Sequence, residues 1–200
     1  PESEVFSISS ADEWNAFAER YQSIIDIDPV IEIIQLTADL TFEGTITSIN
    51  IPENVTLDGN GYKITGKASA LTEKNNCIPF VNENKGIIQN IFIDGFEMNV
   101  RAGDCSMLCG TNTGVIQHCG VQKSKIVIVI VEGSDMDAAN VGFIVGTNKG
   151  QINHCYGACN EIEMSGSEPL STVAISQVAI NSADGFIEES FAVDCYYSSS

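Results

Sequence analysis

The chain has 200 residues, of which 44% are hydrophobic, which suits one domain with a sizeable core. Nine basic residues against 27 acidic ones give a formal net charge of −18. This charge argues against nucleic acids and anionic membrane surfaces as partners, because their negative charge would repel the protein. No apolar run approaches the roughly 18 residues that a membrane-spanning helix needs, so the sequence predicts no membrane insertion.

The N-terminal segment predicts a short strand followed by a helix. Phe6–Ser10 has a strand-like composition, and Ser10 begins the pattern Ser-Ala-Asp-Glu, which is a capping box. Apolar residues then recur at helical spacing and predict a helix over residues 11–23. Because a stack of repeats leaves an apolar end, we expect this helix to cover it, with Trp14 and Phe17 in the core.

Residues 26–76 predict the first strands of a stacked β structure. Strand-like patterns cover Val30–Leu36, Asp39–Phe42, Thr45–Ile51 and Val55–Gly66, and residues 67–76 are expected to form a loop. Asp58-Gly59-Asn60-Gly61 is a tight-turn sequence. Asp58 could instead be a catalytic acid or a calcium ligand, but turn chemistry explains it without either role. Asn54 begins the only N-glycosylation sequon.

An imperfect repeat organises the rest of the chain. Its copies are anchored on Gly86, Gly114, Gly150 and Gly185, which lie 28, 36 and 35 residues apart. A period of this length is typical of stacked supersecondary units.

Positions at equal offsets from the anchor glycines stay apolar or small. Two residues after the anchor stand Ile88, Ile116, Ile152 and Ile187. Five residues before it stand Val81, Cys109, Val145 and, shifted by an insertion, Val178. A second half follows with Met98 and Val100, Ile126 and Ile128, and Ile162 and Met164. Strands about 4.8 Å apart would place equal offsets above one another, so the pattern predicts a parallel β-helix.

The best copy resembles the GLUG motif, G-x-[IV]-x-G-x-N-x-G-x-I-x-x-C. The matching residues are Gly142, Ile144, Gly146, Asn148, Gly150, Ile152 and Cys155. The preceding copy keeps Gly110, Asn112, Gly114, Ile116 and Cys119 but has Ser106 in place of the first glycine. The resemblance covers roughly residues 77–195. It implies a right-handed parallel β-helix like those of secreted bacterial adhesins and of non-catalytic parts of some IgA-cleaving metallopeptidases, and hence an extracellular or cell-surface location.

We therefore predict one β-helix domain over residues 1–200. Residues 1–25 would form the entry strand and cap helix, residues 26–76 the first rungs, and residues 77–197 the GLUG-like rungs.

Six of the seven cysteines lie at equal or nearly equal offsets in adjacent copies. Neighbouring strands have a Cα separation that a disulfide accepts. The sequence therefore predicts up to three bridges, with Cys109 left over: Cys77–Cys105, Cys119–Cys155 and Cys159–Cys195. The alternative is a ladder of reduced cysteines acting as small hydrophobes. It fits Cys119 and Cys155 best, because the motif itself places cysteine there.

Two features are candidates for self-association. Val127, Val129 and Val131 would form an outward row, unless the following loop covers them. Tyr196 and Tyr197 end the last predicted strand, and no capping element is recognisable after them. We expect this open end to meet another copy or a longer chain.

Chemical motifs are few. His118 and His154 share an offset, with Glu189 in the same column, and could hold a metal, although a polar ladder at a corner is the simpler interpretation. The sequence contains no P-loop, G-x-S-x-G or H-E-x-x-H motif. We therefore predict no catalytic residues, no metal and no cofactor.

The favoured interpretation is a non-enzymatic secreted or cell-surface module with a structural or adhesive role, which could assemble end to end into a filament. Its expected partners are other copies or a longer chain, with surface glycans as a further class. Two alternatives stay open. One is a β-helix that binds or cleaves polysaccharides, which would need acids and aromatics along one face. The other is a non-catalytic arm of a larger secreted peptidase.

Overall fold

The computed structural model describes residues 4–25, 31–70, 77–101, 105–129, 138–165 and 172–199. These residues form one helix and many short strands. In chain order they are β1 (Glu4–Ile8), α1 (Ala11–Ile25), β2 (Ile31–Leu36), β3 (Leu40–Gly44), β4 (Ile49–Ile51), β5 (Thr56–Asp58), β6 (Lys63–Ala70), β7 (Val81–Asn84), β8 (Ile87–Gln89), β9 (Phe92–Arg101), β10 (Cys109–Asn112), β11 (Val115–Gln117), β12 (Gly120–Gln122), β13 (Lys125–Val129), β14 (Ala138–Gly142), β15 (Val145–Asn148), β16 (Gln151–Asn153), β17 (Tyr156–Ser165), β18 (Thr172–Ser176), β19 (Ala179–Asn181), β20 (Phe186–Glu188) and β21 (Phe191–Ser199).

Apart from β14 and β18, the strands form three parallel sheets. Sheet 1 has the order β1-β2-β5-β8-β11-β16-β20, and sheet 3 has the order β4-β7-β10-β15-β19. Sheet 2 contains β3, β6, β9, β12, β13, β17 and β21. After β2 the chain visits sheets 2, 3 and 1 repeatedly in that order. We call one set of strands from sheets 3, 1 and 2 a rung, so that β19, β20 and β21 form the final rung. The all-β class and the parallel pairing agree with the prediction.

The register places equal sequence offsets side by side. In sheet 1, one column runs through Phe6, Ile34, Leu57, Ile88, Ile116, Ile152 and Ile187. In sheet 2, Ile126 pairs with Met98 and Ile162, and Ile128 pairs with Val100 and Met164. The predicted alignment of Ile88, Ile116, Ile152 and Ile187 and the predicted columns of sheet 2 are confirmed, whereas the place of Phe6, Ile34 and Leu57 in the first column was not predicted. The predicted place of Val178 is wrong, because a shift in register pairs Val145 with Ala179.

Helix α1 covers the first rung, as expected. The Trp14 side chain is buried, and its indole N–H donates to the Thr47 carbonyl at 3.0 Å. Its ring packs edge-on against Phe80, with ring centroids 5.8 Å apart. The Ser10 hydroxyl accepts from the Glu13 N–H at 3.1 Å, which is one half of the predicted capping box. The Glu13 carboxylate turns to the Ser9 N–H instead of the Ser10 N–H.

The corner between sheets 3 and 1 explains the Asn-x-Gly repeat. The buried side chains of Asn84, Asn112 and Asn148 form a ladder, in which each amide donates to the next at 2.7 and 2.8 Å. A Cβ added to Gly114 would lie 2.2 Å from the Gly86 carbonyl oxygen, and one added to Gly150 would lie 2.2 Å from the Gly114 oxygen. Only glycine allows rungs to approach this closely.

Three local differences from the prediction concern strand length and number. The strand predicted over Thr45–Ile51 is limited to β4, whereas β6 continues to Ala70 into the predicted loop. The rest of that loop, residues 71–76, lies outside the described residues. The pair β14–β18 was not predicted, and it forms an extra two-stranded sheet in the longer repeats.

Within the part of the chain described, no helix has both the length and the apolar character to cross a membrane.

Candidate functional site

The final rung exposes residues that earlier rungs bury. Ile152 is fully buried, whereas Ile187, next in its column, is 36% exposed. Phe186, Phe191 and Val193 are also exposed. Among the described residues, no strand pairs with the outer edges of β19, β20 and β21. The final rung is therefore an unpaired edge with apolar side chains.

The N-terminal end differs from the C-terminal end. Sheet 1 begins there with β1, whose outer edge has no partner strand within the described residues. Phe6 heads the column that ends at Ile187; it is 38% exposed, and its ring stacks on Phe17 with centroids 4.2 Å apart. Strands β3 and β4, which begin the other two sheets, are in contact with α1. Within the described residues, β1 thus has an unpaired backbone edge, while its Phe6 side chain contacts α1.

Both ends are acidic. The outward face of α1 exposes Asp12, Glu13 and Glu19, and hydrogen bonds from Ser9 hold the pKa of Glu13 below its usual value. The final rung exposes Asp184, Glu188 and Glu189. Two copies meeting end to end would bring like charges together, so their contact depends on screening or neutralisation.

The predicted cysteine pairs have different outcomes. Cys77 and Cys105 form a disulfide, with Cα atoms 5.3 Å apart. Cys119 and Cys155 carry free thiols. The Cys119 thiol donates to the Gln117 carbonyl at 3.2 Å, and the Cys155 thiol to the Asn153 carbonyl at 3.3 Å. The expected bridge between them is therefore absent, and the alternative of buried thiols describes this pair.

The expected bridge between Cys159 and Cys195 is also absent. Cys159 is an exposed free thiol. The strand partner of Cys195 is Asn160, whose side chain is buried. The one-residue offset puts the two cysteines out of register. Of the remaining thiols, Cys109 is free and buried.

The outward valines of β13 have no valine beside them on the neighbouring strands. Val127 is half-buried and lies between Asn99 and Glu163 on the neighbouring rungs. Val129 is also half-buried, and Val131 lies outside the described residues. The backbones of Tyr196 and Tyr197 are in β21, in register with Glu161 and Ile162. The two tyrosines therefore lie on the last strand of sheet 2.

The histidine column lies at the corner between sheets 1 and 2. The rings of His118 and His154 stack with centroids 5.0 Å apart, and His154 Nε2 contacts Glu189 Oε2. All three residues have positive φ angles, between 45° and 53°. In the described part of the chain, no cluster of three or more His, Cys, Asp or Glu is arranged to hold a metal ion.

Asp58 is the last residue of β5, directly before a turn, and Asn54 lies in a turn. Asp58 accepts hydrogen bonds from the Asn60 N–H at 2.7 Å, from Gln89 Nε2 at 2.8 Å and from Asn90 Nδ2 at 3.0 Å. These bonds occupy both carboxylate oxygens and fit the turn role. Asn54 is exposed in the turn between β4 and β5, where a glycosyltransferase could reach it.

A cleft of about 280 Å³ lies beside the loop before β4. The described residues that line it include no carboxylate, imidazole or amine; they are Ile46, Thr47, Ser48, Cys77, Ile78 and Asn82. These side chains supply no general acid or base of the usual kinds.

An outward aromatic row was missed by the sequence analysis. Lys63, Phe92, Gly120, Tyr156 and Phe191 are aligned across sheet 2. The last four stand six residues after the anchor glycines, so the same offset analysis could have found them. Gly120 interrupts the aromatic pattern and concealed it.

Comparison with protein-family models, with curated proteins and with solved structures gives no match for this chain.

Proposed function

We propose that the chain is a right-handed parallel β-helix and a non-enzymatic structural or adhesive module of a secreted or cell-surface protein, joined end to end to further copies. Parallel strands linked by a crossover connection are right-handed in about 98% of cases, which supports this hand. The Asn-x-Gly corner and its glycine column support the resemblance to GLUG repeats. The disulfide between Cys77 and Cys105 is compatible with an extracellular location.

The observation that carries the assembly proposal is the column from Phe6 to Ile187. Its members from Ile34 to Ile152 are fully buried, whereas the two ends are 38% and 36% exposed. All strands of sheet 1 are parallel, so β1 of one copy has the direction needed to continue from β20 of another. Such a head-to-tail contact is heterologous and does not close, so it produces a filament.

The junction between two copies would add one more parallel strand pair to sheet 1, which already contains six such pairs. Each added strand would satisfy backbone groups that are unpaired at the edges. Phe6 and Ile187 would become neighbours in one column, and the polar outer face of α1 would lie near β19 and β21. The contact of α1 with β19 and β21 would bring acidic residues together, so salt concentration and pH would control filament formation.

The test is negative-stain electron microscopy with sedimentation of the wild type and of Ile187→Lys. We expect wild-type filaments with an axial repeat of one molecule, and a folded monomer for Ile187→Lys, because a charge would enter the buried column. Ser69→Lys adds the same charge on the exposed flank of sheet 2, on β6 rather than on an end strand, and should assemble like the wild type.

Discrete wild-type monomers at every salt concentration would contradict filament formation and indicate that a longer chain covers the edge. Filaments that survive Ile187→Lys but are lost in Val127→Lys would place the contact on the valine row instead.

A further inference from the structure

The aromatic row on the outer face of sheet 2 is continuous over successive rungs. The Tyr156 and Phe191 rings stack with centroids 5.6 Å apart and an interplanar angle of 13°. The Phe92 and Tyr156 rings are 6.3 Å apart, although Gly120 lies between them in register. A Cβ on Gly120 would lie 2.3 Å from two ring atoms of Tyr156, so the tyrosine ring occupies the place of the missing side chain.

The core does not require aromatic residues at these positions. The neighbouring residues Ile93 and Val121 point inward and are fully buried, so the row lies on the opposite face of the strands. Phe92 and Tyr156 are half-buried, and Phe191 is 58% exposed. A contiguous apolar strip on the surface of an acidic protein marks an interaction site more often than scattered apolar residues do.

Polar side chains accompany the row. Lys63 Nζ and Asp94 Oδ2 form an ion pair of 3.0 Å, and Asp94 pairs with Gln122 in the next outward column. Burial, with Asp94 adding to it, raises the pKa of Tyr156. The phenol therefore stays protonated at neutral pH and can both donate and accept a hydrogen bond. The apolar rings thus lie beside a column that contains a carboxylate and an amide, and an ammonium group stands at the beginning of their own column.

We infer that this face binds a neutral polysaccharide lying along the stack of rungs. A pyranose ring has an apolar C–H face, which suits aromatic rings, and a rim of hydroxyl groups, which suits Asp94, Gln122 and Lys63. The net charge of −18 disfavours anionic glycans and nucleic acids. Peptide strand addition is disfavoured because the backbone groups of β9, β12 and β17 are already paired on both sides. Successive rungs are about 4.8 Å apart, and this spacing is close to the length of one sugar unit in a polysaccharide.

This inference goes beyond the proposed assembly and does not depend on it, because most of the row lies on the flank of a single molecule. The two can fail separately. Ile187→Lys should abolish filaments and keep glycan binding.

The test is isothermal titration calorimetry with neutral hexasaccharides of β-1,4-linked glucose, xylose and mannose and of β-1,3-linked glucose, compared with an anionic oligogalacturonate. We expect at least one neutral hexasaccharide to bind. Tyr156→Ala should weaken its binding about tenfold, because a ring contact is lost, and Asp94→Asn should weaken it by a smaller factor. Val127→Ala changes another half-buried outward residue of sheet 2 and should leave the affinity unchanged.

Tyr156→Phe keeps the ring and should retain most of the affinity, which guards against a folding defect in the alanine variant. No binding of any neutral hexasaccharide at millimolar concentration would overturn the inference. Unchanged affinity in a folded Tyr156→Ala, or a preference for the oligogalacturonate, would overturn it as well.

Discussion

At the scale of single residues, the corner between sheets 3 and 1 depends on the smallest side chain and on a buried amide. Gly86, Gly114 and Gly150 let the backbones of adjacent rungs approach, and the asparagine two residues earlier fills the corner with hydrogen bonds. The motif is thus a packing requirement between rungs.

Gly114→Ala should destabilise the protein by about 2–3 kcal/mol, because its Cβ would overlap the Gly86 carbonyl, a backbone atom that cannot rotate away. The measurement is the midpoint of urea unfolding. Gly120→Ala is the matched control, since its Cβ meets the outer end of the Tyr156 ring, which can move. Equal losses in the two variants would contradict this account of the corner.

The free thiols should differ in reactivity. Burial raises the pKa of Cys109 and of Cys119, so these thiols stay protonated and shielded, whereas Cys159 is exposed. Peptide mass spectrometry after brief iodoacetamide treatment of the native protein should show Cys159 labelled and Cys109, Cys119 and Cys155 protected. The same digest without reductant should contain the Cys77–Cys105 cross-link. Rapid labelling of Cys119 would contradict its burial.

At the scale of elements, helix α1 closes the end at which sheets 2 and 3 begin. It does so with Trp14, Phe17, Ala18 and Tyr21 on one face and with charged residues on the other. The helix therefore separates the aromatic core from solvent and gives the molecule two unlike ends.

Trp14→Ala should destabilise the protein by about 3–5 kcal/mol, because it empties a buried aromatic site and leaves the Thr47 carbonyl without its donor. Hydrogen exchange should rise first in β3 and β4, the strands that α1 contacts. Glu19→Ala, on the exposed face, should change stability by less than about 0.5 kcal/mol. A small loss in Trp14→Ala would mean that the helix is dispensable to the first rung.

The sequence predicted the columns of sheet 2 because each rung repeats one alternation of inward and outward residues. It failed in the last repeat: a register irregularity between Val145 and Thr147 pairs Val145 with Ala179, so Ala179 replaces Val178. It could not distinguish bridged from free cysteines, because equal offsets bring two thiols near each other whether or not a bond joins them. Cys119 and Cys155 each turn to a carbonyl two residues earlier. The aromatic row escaped notice because Gly120 breaks it in sequence while Tyr156 covers the gap in space.

At the scale of the whole molecule, charge opposes the assembly that the exposed strands favour. The sequence pI is about 4.1, and acidic groups are exposed at both ends. Repulsion between the ends falls as salt is added, since the Debye length is about 10 Å at 0.1 M.

Filament length should therefore increase with ionic strength, and also as the pH falls towards about 4, where carboxylates become protonated and lose their repulsion. Light scattering across salt and pH series measures this. The double variant Glu188→Gln, Glu189→Gln should assemble at lower salt than the wild type. Assembly that weakens with added salt would contradict like-charge repulsion as the controlling force.

The asparagine ladder also has a direction. Asn84 donates to Asn112, and Asn112 donates to Asn148, so the amide dipoles point the same way along the stack. The Asn84 side-chain oxygen, at the beginning of the row, finds no hydrogen-bond partner among the described residues. Aligned amides polarise one another, so the row is a one-way chain with an acceptor at its start and donors passed forward. Asn148 in turn donates to the Phe186 carbonyl in the final rung, so this column of amides has the same polarity from β7 to β20. A rung added in the opposite sense would not continue that polarity.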